Sequence, residues 1–95
     1  MLEGLPPLEL LEATHAFPCQ YTFKVIGRPE NHLIGRVIAA VRLELDADAE
    51  PPFSSRHSSG GKHISITIEP VLNSAEQVLD VYRRLQSLEG VLMLL

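Results

Sequence analysis

The sequence predicts an α+β fold of order β-α-β-β-α-β, with four strands in one antiparallel sheet and two helices packed on one of its faces. Three observations carry that reading. Two segments alternate apolar and polar residues with the period of a half-buried strand. Two others repeat apolar residues at helical spacing, and a serine- and glycine-rich turn lies between the two strand-helix-strand halves.

Residues 1–18 hold three of the seven prolines, which prevent one long helix, so they are read as an N-terminal arm ahead of a domain over residues 19–95. Within the arm, Leu8, Leu10 and Leu11 suit a short helical turn that seeks an apolar surface. From Gln20 to Ile26, Tyr21, Phe23 and Val25 fall on one side and Thr22, Lys24 and Ile26 on the other, and Gly27 ends this first strand. Arg28-Pro29-Glu30 is expected to start the first helix, because proline fits a first turn and a carboxylate suits the positive end of the dipole. Its apolar stripe is Leu33, Ile34, Val37, Ile38, Val41 and Leu45, with Leu43 off the stripe.

The run from Asp46 to Glu50 and the pair Pro51-Pro52 stop that helix. Phe53 to Ser58 is polar and serine-rich, which suits an edge strand, and Ser59-Gly60-Gly61 signals a tight turn. In His63 to Glu69, Ile64, Ile66 and Ile68 point one way and His63, Ser65, Thr67 and Glu69 the other. Ser74 with Gln77, or Asn73 with Glu76, forms a capping box for the second helix. Ala75, Val78, Leu79, Tyr82 and Leu85 are its buried stripe, with Asp80 and Arg84 paired on the solvent side. Gly90 turns the chain into a last strand, Val91 to Leu95. This order is the ferredoxin-like split arrangement. Right-handed crossovers place the first and third strands in the centre and the second and fourth at the edges.

A chain of 95 residues suits one hydrophobic core. The net charge of −4 argues against general attraction to nucleic acid or anionic lipid, which needs clustered Lys and Arg. The single cysteine, Cys19, excludes an internal disulfide, and no zinc-ligand spacing occurs, so no metal or cofactor is expected. No secretory signal and no bilayer-spanning run are found, and a cytoplasmic location is the expectation.

Several motifs occur together in order: Phe17-Pro18-Cys19, Lys24-Val25-Ile26-Gly27, and Ser58-Ser59-Gly60-Gly61-Lys62 with the His-Ile-Ser-Ile-Thr-Ile strand behind it. Ser74-x-Glu76-Gln77 with Tyr82-x-x-Leu85, and Val91-x-Met93-x-Leu95, complete the set. From Phe17 to Leu95 the chain resembles the YbeD-like family of small bacterial proteins of unknown function. That resemblance implies a ferredoxin-like fold similar to the amino-acid-sensing regulatory (ACT) domains of metabolic enzymes, without an established catalytic activity, and it assigns no residue a role.

The most suggestive polar group is the segment Ser54 to Lys62, where the glycine turn, Ser58, Ser59, Gly60 and Gly61 flanked by Arg56 and Lys62, offers donors to an anion or phosphate. It lacks Walker-loop order, and a solvated hairpin is the plainer reading. The junction Gly27-Arg28-Pro29-Glu30 is a second ligand candidate, against a plain helix start. His57 and His63 flank the hairpin and are the nearest approach to acid-base chemistry. His15, His32 and Cys19 read as ordinary surface or junction residues.

The last strand is the informative apolar feature. Simple alternation sets Leu92 and Leu94 opposite Val91, Met93 and Leu95, so one set is left for a partner, a second copy, or the arm to cover. Leu92 and Leu94 are therefore the candidate interaction edge, with the open sheet face as a further surface. The favoured function is a non-enzymatic regulatory or protein-interaction module, self-associating or bound to a protein partner, with a small-molecule ligand admissible. An RNA-binding domain and a small enzyme built on His57 and His63 are the alternatives. The first is weakened because His63, Ser65 and Thr67 stand where stacking aromatics would be needed.

Overall fold

The structure is a computed structural model that describes residues 4–95, so residues 1–3 of the predicted arm lie outside the described residues. Its elements are α1 (Leu8–Thr14), β1 (Cys19–Gln20), β2 (Phe23–Gly27), α2 (Leu33–Leu45), β3 (Phe53–His57), β4 (Ile64–Ile68), β5 (Val71–Leu72), α3 (Ala75–Gln86) and β6 (Val91–Leu94). The fold is α+β, with a four-stranded sheet of order β3-β4-β2-β6 and a two-stranded ribbon of β1 and β5. All its strand pairs are antiparallel.

Apolar alternation explains which strands are central. Phe23 and Val25 of β2, and Ile64, Ile66 and Ile68 of β4, are buried, and they meet Leu33, Val37, Ile38 and Val41 of α2 and Ala75, Val78, Val81, Tyr82 and Leu85 of α3 in one core. Each of the larger side chains among them contributes about 1.5–3 kcal/mol by leaving water. Leu43 is exposed, as its place off the helical stripe requires. The opposite face of the sheet carries Lys24, Ser65 and Thr67 toward solvent. β3, exposed at every position, and β6 are the edges.

Several local expectations are corrected. The short helical turn expected in the arm is present as α1, which with the two helices of the predicted domain makes three among the described residues: it lies beside α3 and puts Leu11 into the core at 3% exposure, while Leu10 stays exposed. The first strand is not continuous. β1 pairs with β5, and the break at Tyr21 and Thr22 faces the break at Glu69 and Pro70 between β4 and β5. Pro70 has no N–H for a ladder, and its carbonyl accepts the Tyr21 N–H at 2.9 Å instead.

The first long helix starts at Leu33 rather than at Arg28-Pro29-Glu30. Asn31 and His32 are left-handed, with φ of 57° and 56°, and they turn the chain before any helical hydrogen bond forms. In α3, Arg84 does not pair with Asp80. Arg83 does, at 3.1 Å, and Arg84 reaches Glu44 on α2 at 2.8 Å. Val81, which the apolar spacing does not single out, is fully buried, while Leu79 is half-buried against the core at the margin of the stripe.

The last correction bears on function. Ile26 pairs with Met93 but the next residue, Gly27, pairs with Val91, so Leu92 is an extra residue in β6. That bulge breaks the alternation. Leu94, opposite Val25, is half-buried against the core together with Val91, whereas Leu92, Met93 and Leu95 are exposed.

Candidate functional site

Ladder register builds a polar depression on the open sheet face. Lys24 of β2 lies beside Thr67 of β4, which lies beside Ser54 of β3, and in the next row Ser65 lies beside Arg56. Together they line a shallow space of about 380 Å³. Neighbouring positions across a ladder stand about 5 Å apart, so these side chains reach a common ligand.

The cations are the informative part. Arg28 pairs with Glu30 at 3.7 Å, Arg83 with Asp80 and Arg84 with Glu44. Arg36 donates to the carbonyls of Asn31 and Glu89, both at 2.7 Å, and Arg42 to that of Asp48 at 2.6 Å. Among the described residues, Lys24, Arg56 and Lys62 are the Lys and Arg side chains that pair with no acceptor; the first two line the depression and the third sits in the adjoining hairpin.

The hairpin itself is largely self-satisfied. The Ser58 N–H donates to the His63 carbonyl at 2.8 Å, the Gly61 N–H to the Ser58 carbonyl at 2.9 Å, and the His63 N–H to Ser58 Oγ at 3.0 Å. Gly60 and Gly61, at φ of 87° and 72°, serve that turn. Of the hairpin residues singled out from sequence, Ser58, Ser59, Gly60, Gly61 and Lys62 remain in the turn, while Arg56 belongs to the sheet face. Ser54, which opens the polar segment singled out from sequence, also lines the sheet face, while Lys24, Ser65 and Thr67 are site residues that sequence reasoning does not single out. The signal is present in the alternation, which sets Lys24, Ser65 and Thr67 on wet faces, but the pairing that unites them is not local.

His57 pairs with Ile64 on the helix side of the sheet, and His63, one residue before Ile64, falls on the alternate side, so the two do not form a pair. His57 instead borders a cleft of about 520 Å³ at the start of α2, with Asn31, His32, Leu33 and Gly35 opposite. The predicted Gly27–Glu30 junction precedes the helix N-terminus, and its Pro29 and Glu30 line this same cleft. Among the described residues no three His, Cys, Asp or Glu side chains gather as metal ligands. No helix among them is long and apolar enough to cross a membrane.

At the other edge, Leu92, Met93 and Leu95 are 48%, 52% and 59% exposed. With Gly4, Leu5, Tyr82 and Gln86 they border a groove of about 530 Å³. The Tyr82 hydroxyl lies 3.1 Å from that of Tyr21, and burial, reinforced by this hydrogen bond, pushes the Tyr82 phenol well above its usual range. Gln86 Oε1 is buried without a hydrogen-bond partner among the described residues. Cys19 is half-buried in β1.

Comparison with known proteins gives a family and a fold. A family described as "Protein of unknown function (DUF493)" matches residues 12–95. A UPF0250 protein of Shewanella woodyi is 41% identical over 83 residues, covering 87% of this chain and 88% of that protein. One from Shewanella sediminis is 39% identical over the same shares of the two chains. The solution structure of protein HP0495 from H. pylori superposes with a TM-score of 0.69 over 98% of each chain, at 16% sequence identity, a likeness of fold alone.

Proposed function

The chain belongs to the DUF493 (UPF0250) family of small bacterial proteins of unknown function, and from that premise we propose that it is a non-enzymatic regulatory module that pairs with a second copy of itself through β6. The observation that carries this is the edge position of β6, which pairs with no second strand among the described residues, while Leu92, Met93 and Leu95 stand exposed beside it. An apolar edge strand is a template for another strand. Antiparallel pairing of β6 with its own copy about a two-fold axis satisfies both backbones and covers both sets of side chains.

The finer fold reading is ferredoxin-like and akin to ACT regulatory domains, supported by the order β3-β4-β2-β6 and by two helix stripes in one core. Regulatory rather than catalytic work is favoured because His57 and His63 fall on opposite sides of the sheet and leave no acid-base pair. A reducing cytoplasm accords with the lone Cys19. Light scattering at high protein concentration tests the pairing. A dimer mass that falls to the monomer in Leu92→Glu is expected, and a wild-type chain that stays monomeric overturns it.

A further inference from the structure

We propose that the open face of the sheet holds a phosphate group, gripped by Lys24 and Arg56 with the hydroxyls of Ser54, Ser65 and Thr67. This site is separate from the β6 edge and does not rest on it.

Three observations converge. The first is the distribution of charge: in a chain of net charge −4, five of the eight Lys and Arg side chains are taken up by the protein's own carboxylates or carbonyls. The three left over among the described residues lie in this face and its hairpin. Arg56 and Lys24 flank the depression on β3 and β2, with the β4 hydroxyls between them. The carboxylate of Glu69, just past the end of β4, accepts from the Thr22 hydroxyl at 3.1 Å and does not border the depression.

The second is the match of donor to ligand. A guanidinium fork binds two oxygens of a phosphate, an ammonium adds a compact charge, and hydroxyls donate to the remaining oxygens. None of the three hydroxyls makes a side-chain hydrogen bond with another described residue, whereas Ser58 in the hairpin is already engaged. The third is what the face lacks. Phe53 pairs with Ile68 on the helix side, so no aromatic ring stands among the depression's residues to stack a base. That favours a phosphate on a small molecule over single-stranded nucleic acid, whose bases need such platforms.

Free phosphate and a phosphate monoester share this chemistry, and one titration separates them. Amide chemical shifts of the full chain are followed by NMR against inorganic phosphate, glycerol phosphate and sodium acetate, all at the same ionic strength. Saturable shifts at Lys24, Arg56, Ser65 and Thr67 with the phosphates, and none with acetate, are the expected result. Tighter binding of glycerol phosphate assigns the site to esters, and equal binding to the free ion. Lys24→Ala and Arg56→Ala should each weaken binding about tenfold, the loss of one charge-assisted contact. Arg83→Ala should leave it unchanged. Leu92→Glu should also bind normally, which distinguishes a failure here from a failure of self-association. Acetate shifts equal to those of phosphate, the absence of saturation, or affinity unaffected by both cation variants would overturn the proposal.

Discussion

Gly27 and Gly90 pack backbone against backbone: a β-carbon on Gly27 would come 2.5 Å from the Gly90 carbonyl oxygen and equally close to Leu33 Cδ2. The same oxygen accepts the Arg28 N–H at 2.9 Å, so it is held in place just before β6 and its bulge. Both the sheet edge and the start of α2 depend on this contact.

Gly27→Ala is therefore expected to destabilise the protein by about 1–3 kcal/mol, because backbone cannot move aside as a flexible side chain does. A β-carbon on Gly35, in the first turn of α2, would meet nothing within 4 Å. Gly35→Ala should stabilise by about 0.4–1 kcal/mol through helix propensity and lost unfolded-state freedom. Urea midpoints of the two variants check both, and a neutral Gly27→Ala would refute the contact's importance.

Tyr82 links stability to alkaline pH. Its burial, with the Tyr21 hydrogen bond, keeps the folded phenol protonated above the ordinary phenol value of about 10. Below that value the phenol is protonated whether folded or unfolded, and its contribution to stability is fully present. Above it the unfolded chain releases a proton that the folded chain retains, so stability falls as pH rises. Urea unfolding at a series of alkaline pH values should show the fall, and Tyr82→Phe should flatten it. In Tyr21→Phe, where Tyr82 is the remaining phenol, its absorbance titration should still lie above the ordinary phenol value because desolvation persists.

The cap of α3 is reciprocal but displaced. Ser74 Oγ accepts the Gln77 N–H at 3.1 Å, while Gln77 Oε1 accepts the N–H of Asn73, one residue before the cap, at 2.7 Å. Ser74→Ala should cost about 1 kcal/mol. Adding Gln77→Ala should cost less than the two losses summed, since both serve one turn. Thermal melts of the singles and the double decide whether the bonds act together.

Much of the fold is legible without coordinates where the cause is local. Ile64, Ile66 and Ile68 alternate with polar neighbours, and they form the buried face of a central strand. Ser74 is readable as a cap because its hydrogen bond spans three residues. The start of α2 is not, because proline chemistry at Pro29 is outweighed by two left-handed residues behind it, Asn31 and His32, a geometry no propensity scale announces. Leu8, Leu10 and Leu11 give the arm an apolar surface, yet only docking against α3 chooses Leu11 for burial.

The candidate sites divide the same way. Sequence alone determined that Lys24, Ser65 and Thr67 face away from the core and that the last five residues hold more apolar surface than one face can hide, because side-chain alternation is a property of each strand by itself. Only the tertiary structure decided that Lys24 and Arg56 flank one depression and that Leu92, not Leu94, stands clear of the core. Register and bulge are set by which strands pair and by the close approach of Gly27 to Gly90, and such relations join residues far apart in the chain.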